Sequence, residues 1–162
     1  MKLAVLSDSH DNIWKLDQAL PLLKKADAIL HCGDLCSPFM IKRLAEGVDG
    51  KPVHVIWGNN DGDQFTISRI AKDYAHVTLH GDLATLDMDN VRVAANHYPE
   101  IAEGFAASGE FDLVCYGHNH SQRQEVVGDC LLLNPGELMG MNGASTLAMV
   151  DLDKLEAKIL EV

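Results

Sequence analysis

Three things are scarce in this chain of 162 residues: long apolar runs, paired cysteines and positive charge. No apolar stretch approaches the ~20 residues of a membrane-crossing helix, so no membrane partner is expected. The chain starts directly in an apolar, strand-like run, and Asp8, His10 and Asp11 break any signal-like segment, so the expected location is cytoplasmic. Cys32, Cys36, Cys115 and Cys130 form no Cys-x-x-Cys pair. They are expected to be free, reduced and buried, which argues against a cysteine-type zinc site. Lys and Arg number 13 against 24 Asp and Glu, a formal net charge of -11. That balance argues against a strong grip on nucleic-acid backbones. It leaves a phosphate substrate open, because bound metal ions can reverse the sign of a site. There is no linker, repeat or low-complexity tract, so residues 1–162 are expected to form one domain, long enough for a sizeable core.

What is present is organised around Ile29-Leu30-His31-Cys32-Gly33-Asp34, an apolar run that ends in a glycine and a lone carboxylate. Short apolar runs read as buried strands, and the glycine permits a sharp turn with close neighbours. The pattern recurs. Leu3–Leu6 ends in Ser7-Asp8-Ser9-His10, Val53–Trp57 in Gly58-Asn59-Asn60-Asp61, Val91–Ala95 in Asn96-His97, and Phe111–Tyr116 in Gly117-His118-Asn119-His120. In open α/β sheets, sites lie outside the carboxyl ends of strands. Asp, His and Asn converging on one rim have metal binding as their simplest common purpose.

The spacing predicts strands over 3–6, 28–31 and 52–57, with a helix after each. The first helix is capped by Asn12 and carries Ile13, Leu16, Leu20 and Leu23 at helical spacing; Pro21 inside it predicts a kink or two shorter helices. Pro38 opens the second, through Ala45, and 63–74 forms the third with Phe65, Ile67, Ile70 and Ala71 inward. Beyond residue 76 the chain is strand-rich, with one short helix over 99–108. The expectation is two packed sheets with helices outside.

Asp8 and His10, and likewise His118 and His120, stand two apart, so on an extended chain each pair would point to one side. Asp34, Asn59 and His97 come singly. The set offers only oxygen and imidazole nitrogen, which suits Mn, Fe, Zn, Co or Ni better than Cu(I). These seven are too many for one tetrahedral ion and right for two ions sharing a ligand. With two divalent ions, Asp8, Asp34 and a bridging hydroxide, about one positive charge remains, enough to draw a phosphate. Each motif alone has an ordinary explanation: a capping turn for Asp8-Ser9-His10, a β-turn for Gly58–Asp61. Their combination, always at the end of an apolar run, does not. His31, His54, His76 and His80 lack that context; His54 reads as a strand residue and the others as packing or surface histidines.

Asp8-Ser9-His10, Gly33-Asp34, Gly58-Asn59-Asn60-Asp61, His97 and Gly117-His118-Asn119-His120, followed by the loop Asn134-Pro135-Gly136, resemble the calcineurin-like metallophosphoesterase superfamily. By length the chain looks like its small prokaryotic type. The resemblance implies an α/β fold, a four-layer α/β/β/α sandwich of two mixed sheets flanked by helices. It implies two divalent ions, manganese foremost and iron, nickel, cobalt or zinc as alternatives. Asp8, His10, Asp34 and His120 would hold the first; Asp34, Asn59, His97 and His118 the second, with Asp34 bridging. The implied activity is phosphodiester hydrolysis by in-line attack of hydroxide on a small phosphate ester. Asp34, Asn59, Asn60 and His97 are the implied catalytic residues, and Asn60 and His97 the substrate contacts. Many members carry His where Asn60 stands, and Asn60 cannot give up a proton. Ser often follows the late loop, where this chain has Glu137. The alternatives are a phosphomonoesterase or nucleotidase on the same site, and a non-catalytic protein-interaction scaffold on the same fold. A homo-oligomer is compatible with either.

Overall fold

The alternation of side chains along the first strand sets the layering. Ala4 and Leu6 face one way, into a core shared with helices; Leu3 and Val5 face the other, into a core shared with a second sheet. A computed structural model describes residues 1–162 and orders them as β1 (Lys2–Leu6), α1 (Ile13–Leu23), β2 (Ala28–His31), α2 (Pro38–Gly47), β3 (Val53–Val55), α3 (Gln64–Ala71), β4 (Val77–Leu79), β5 (Leu83–Met88), β6 (Val91–Asn96), α4 (Pro99–Ala107), β7 (Leu113–Cys115), β8 (Arg123–Val127), β9 (Cys130–Asn134), β10 (Thr146–Asp151) and β11 (Glu156–Glu161).

One sheet runs β11-β10-β1-β2-β3-β4 and the other β5-β6-β7-β9-β8. In the first, β1 to β4 are parallel and β10 is antiparallel to β1; in the second, β6, β7 and β9 are parallel between antiparallel edges. Leu16, Leu20 and Leu23 of α1, Ile41 and Leu44 of α2 and Ile67 of α3 cover the outer face of the first sheet. Leu30, Val5, Val93, Leu113 and Leu133 fill the space between the sheets. Ala102 and Ala106 of α4 lie against Ala94, Val114 and Leu132 on the outer face of the second. Two mixed sheets flanked by helices on both sides are the expected four layers. No helix is long and apolar enough to cross a membrane.

Three local expectations fail. Helix α1 is one helix, not two, with Pro21 in its last turn, where the lost N–H removes a single bond to the preceding turn. Phe65 is 78% exposed rather than inward. It lies in the first turn of α3, and only Ile67 and Ala71 of that helix are buried. Cys36 is half-buried, whereas the other three free cysteines are buried.

His54 and His80, beside each other across β3 and the end of β4, share a hydrogen bond of 2.9 Å between Nδ1 and Nε2. Burial lowers both from the ordinary 6.5, and for His54 the neighbouring His80 adds to it. The unfolded chain therefore binds protons here more readily than the folded one. This part of the stability is complete above about pH 6.5 and is lost as the pH falls towards the lowered native values. Between about pH 7.5 and 5.5 the wild type should lose a few degrees more of melting temperature than His54→Gln, measured by calorimetry. Equal losses would show that the pair does not carry the dependence.

Candidate metal centre

The motif residues leave their strands through tight turns. Asp8, His10, Asp34, His118 and His120 have φ of 51°, 38°, 58°, 72° and 58°. Left-handed backbone costs about 1–2 kcal/mol per L residue, and Asp is among the types that tolerate it best. Hydrogen bonds between loops offset that cost. The Asp8 and His10 amides donate to the carbonyls of Gly33 (3.1 Å) and Asp34 (3.0 Å). The Asp61 carboxylate accepts from the amides of Gly58 (2.6 Å), Cys36 (2.8 Å) and Asp34 (3.1 Å), fastening the second and third loops together. Contact here is too close for a side chain at either motif glycine. A Cβ on Gly33, at φ +96°, would lie 2.7 Å from the Gly58 nitrogen, and one on Gly58 would strike the Asp34 carboxylate.

The turns also correct the reading of the i, i+2 pairs. Asp8 and His10 do face each other, with His10 Nε2 3.7 Å from Asp8 Oδ1. His118 and His120 part company. His120 Nε2 lies 3.3 Å from Asp8 Oδ1, while His118 Nδ1 lies 2.8 Å from Asn59 Oδ1. Neither residue is extended, so the two-residue alternation of a strand does not apply to them.

The seven residues form two groups with Asp34 between them. Asp8, His10 and His120 lie together, as do Asp8, Asp34 and His97. Asn59 Oδ1 joins His97 Nε2 (3.1 Å) to His118 Nδ1 (2.8 Å), so that Asp8, His10 and His120 make the first group and Asn59, His97 and His118 the second. Asp34 Oδ2 is 3.4 Å from His10 Nε2 and 3.4 Å from His97 Nε2. The backbone amide of Asn60 donates to Asp34 Oδ1 at 2.7 Å and its side chain to Oδ2 at 2.8 Å. Asp8, Asp34 and His97 are buried, His10 and His120 half-buried, and Asn59, Asn60 and His118 exposed. The centre thus opens to solvent on the side of the second group.

The electrostatics are those of two buried carboxylates packed among imidazoles. The Asp8 carboxylate beside it, helped by Cys36, pushes His10 up to about 10. Burial by itself would raise Asp34, but His97 beside it and the hydrogen bonds donated by Asn60 outweigh it and hold the carboxyl well below the usual range. Asp8 is lowered likewise, burial being outweighed by His10 and Ser7. Asp8 Oδ1 and His10 Nε2 are buried without a hydrogen-bond partner. Buried polar atoms are almost always satisfied, and two orphans facing each other among carboxylate and imidazole donors fit a divalent ion.

Several residues beyond the motif hold the candidate centre in place. His97 Nδ1 donates to the Cys32 carbonyl at 2.7 Å, which turns Nε2 inward. His31, placed by sequence among packing or surface residues, is buried and bonds Ser9 Oγ at 3.0 Å and the Gly33 amide at 3.2 Å, tying the first two loops. Burial lowers it to about 4, so it stays neutral. Tyr98 stacks edge-on against His97 and His118, with ring centroids 5.4 and 5.1 Å apart. Glu137 meets His120. Asp61 had a signal, the carboxylate closing Gly58-Asn59-Asn60-Asp61; Tyr98 had only its place after His97.

The calcineurin-like phosphoesterase superfamily domain matches residues 1–155. The chain belongs to this superfamily. A phosphodiesterase of Methanocaldococcus jannaschii is 30% identical over 161 residues, covering 96% of each chain. A probable metallophosphoesterase of the same organism is 26% identical over 169 residues, covering 100% of this chain and 82% of its own. Among solved structures, an archaeal phosphodiesterase superposes with a TM-score of 0.92 at 28% identity over the whole of both chains. Hydrolysis of phosphoric esters, the superfamily's chemistry, suits a centre of this composition.

Proposed function

We propose that the chain is a metal-dependent phosphodiesterase acting on small phosphate esters, one catalytic domain over residues 1–162, at work in the cytoplasm. The observation that carries the reading is the pair of orphaned buried atoms, Asp8 Oδ1 and His10 Nε2, beside an Asp34 oxygen equidistant from the two groups. Asp8, His10, Asp34 and His120 would hold one divalent ion and Asp34, Asn59, His97 and His118 the other, manganese being the first candidate. Bound divalent ions supply Lewis acidity, which neutralises phosphate charge and makes hydroxide available near neutral pH.

The chain's own residues do the rest. Asp34, kept ionised by His97 and Asn60, provides the shared anion. The Cys32 carbonyl fixes the His97 ring. The exposed side of the centre, with Asn59, Asn60 and His118, admits the ester. Its phosphoryl oxygens would meet the Asn60 amide, which would turn from Asp34 to reach them, while His97, buried and engaged at both nitrogens, stays beneath. A site already ordered by inter-loop hydrogen bonds spends little on ordering when the ester arrives.

Metal-stripped protein reconstituted with manganese should approach two ions per chain by elemental analysis and should then hydrolyse bis-aryl phosphodiesters. A ceiling of one ion without hydrolysis would overturn the two-metal reading. A phosphomonoesterase or nucleotidase would show itself in the same assay by preferring monoesters.

A further inference from the structure

Glu137 follows the Asn134-Pro135-Gly136 loop at the end of β9, and its carboxylate is buried, with 2% of the residue exposed. One oxygen, Oε2, lies 2.6 Å from His120 Nδ1. The other accepts the backbone amide of Asn142. Its only ion-pair partner is His120. Burying a carboxylate is costly unless it is paired and hydrogen-bonded. Two donors, one of them an imidazole, are thin compensation for a full charge.

The geometry points to a use for it. With Nδ1–H given to Glu137, His120 is left with Nε2 as its free lone pair, and that atom faces Asp8 Oδ1 at 3.3 Å. We infer that Glu137 is a positioning residue for a cation in the first group. It locks the His120 ring and tautomer, and its charge makes the imidazole a stronger donor. This rests on the metal-centre reading above and adds a difference between the two groups. The corresponding atom in the second group, His97 Nδ1, faces only the neutral Cys32 carbonyl at 2.7 Å. The first group should therefore be the tighter of the two. Glu137 also changes the charge count made from the sequence, since a third carboxylate brings the loaded centre from about one positive charge to near neutral. By linkage, whatever the cation adds to the Glu137–His120 bond, Glu137 adds to cation affinity.

The test is a calorimetric titration of the metal-stripped full chain with manganese. Wild type should bind in two phases. Glu137→Ala should weaken the tighter phase 10–100-fold, the usual cost of removing such an outer partner, and leave the weaker phase in place. Glu137→Gln keeps one acceptor oxygen, for His120 or for the Asn142 amide but not for both, and loses the charge, so it should fall between. It also carries the test if Glu137→Ala fails to fold. Nitrogen chemical shifts of the metal-free protein should show His120 protonated at Nδ1 in wild type and a mixture of tautomers in Glu137→Ala. A variant with a lowered melting temperature but both affinities unchanged would make Glu137 a loop anchor through Asn142 and overturn the inference. Wild type that binds two ions without hydrolysing any ester would sink the phosphodiesterase reading and leave this one standing.

Discussion

Asp34→Asn should abolish hydrolysis, with a loss of roughly 10³–10⁵-fold, the scale seen when an essential active-site group is removed. It should also weaken both metal phases. The substitution keeps size and shape but replaces the one oxygen that stands 3.4 Å from both His10 and His97 with a neutral amide. The carboxylate accepts two hydrogen bonds from Asn60, and an amide nitrogen at either position would confront a donor instead of an acceptor. Such a mismatch in a buried place costs about 1–3 kcal/mol, so a lower melting temperature should accompany the loss. His54→Gln is the control. His54 lies outside both groups, bonded to His80, and its replacement should leave metal content and turnover near wild type. If the His54 change stripped metal and the Asp34 change did not, the assignment of the centre would be wrong.

The second large effect concerns the leaving group. General acid help is typically worth 10²–10⁴-fold. Around this centre the imidazoles of His10, His97, His118 and His120 are the proposed ligands, and Asn60 has no proton to give. The Asn60 side chain is, moreover, already engaged with Asp34 Oδ2 at 2.8 Å. An aryl oxide leaves without much help, since a phenol such as that of Tyr has a pKa of about 10. An alkoxide, nearer the ~15.7 of water, needs the proton far more. Aryl phosphodiesters should therefore be cleaved well and alkyl esters poorly, with a rate that falls steeply as the leaving-group pKa rises. Asn60→His should flatten that slope and help alkyl esters most, by up to about 10²-fold. The measurement is kcat/KM over a series of aryl and alkyl esters in both proteins, where chemistry limits the rate. A flat slope in the wild type would assign the proton to another group, and Tyr98, packed against His97 and His118, would be the first to replace.

The two experiments separate cleanly. Loss of the shared anion strikes every substrate alike, whereas the Asn60 effect grows with the basicity of the leaving oxygen. Glu137 adds a third signature, a change in metal affinity in the first group alone.

The order of motif residues at strand ends was legible in the sequence because each signal is local. An apolar run of a few residues followed by Gly-Asp or Gly-Asn reports its own strand and its own turn, and the buried strands β1, β2 and β7 appear where those runs stand. The cap at Asn12 and the opening of α2 at Pro38 are local as well. Phe65 misled because helical periodicity tells which side of a helix a residue is on, not whether another element covers it there.

What belongs to the sequence by itself is the ligand chemistry, oxygen and imidazole without sulfur, and its delivery at the ends of apolar strands. What only the tertiary structure decided is which residues meet. The His118 amide reaches Asp8 across 110 residues of chain, His97 reaches the Cys32 carbonyl across 65, and Glu137 turns back onto His120 across 17. Those meetings depend on the packing of the two sheets and on left-handed turns that send neighbouring histidines to opposite groups. Neither leaves a periodic mark in the chain, because a turn is fixed by the hydrogen bonds it finds in other loops.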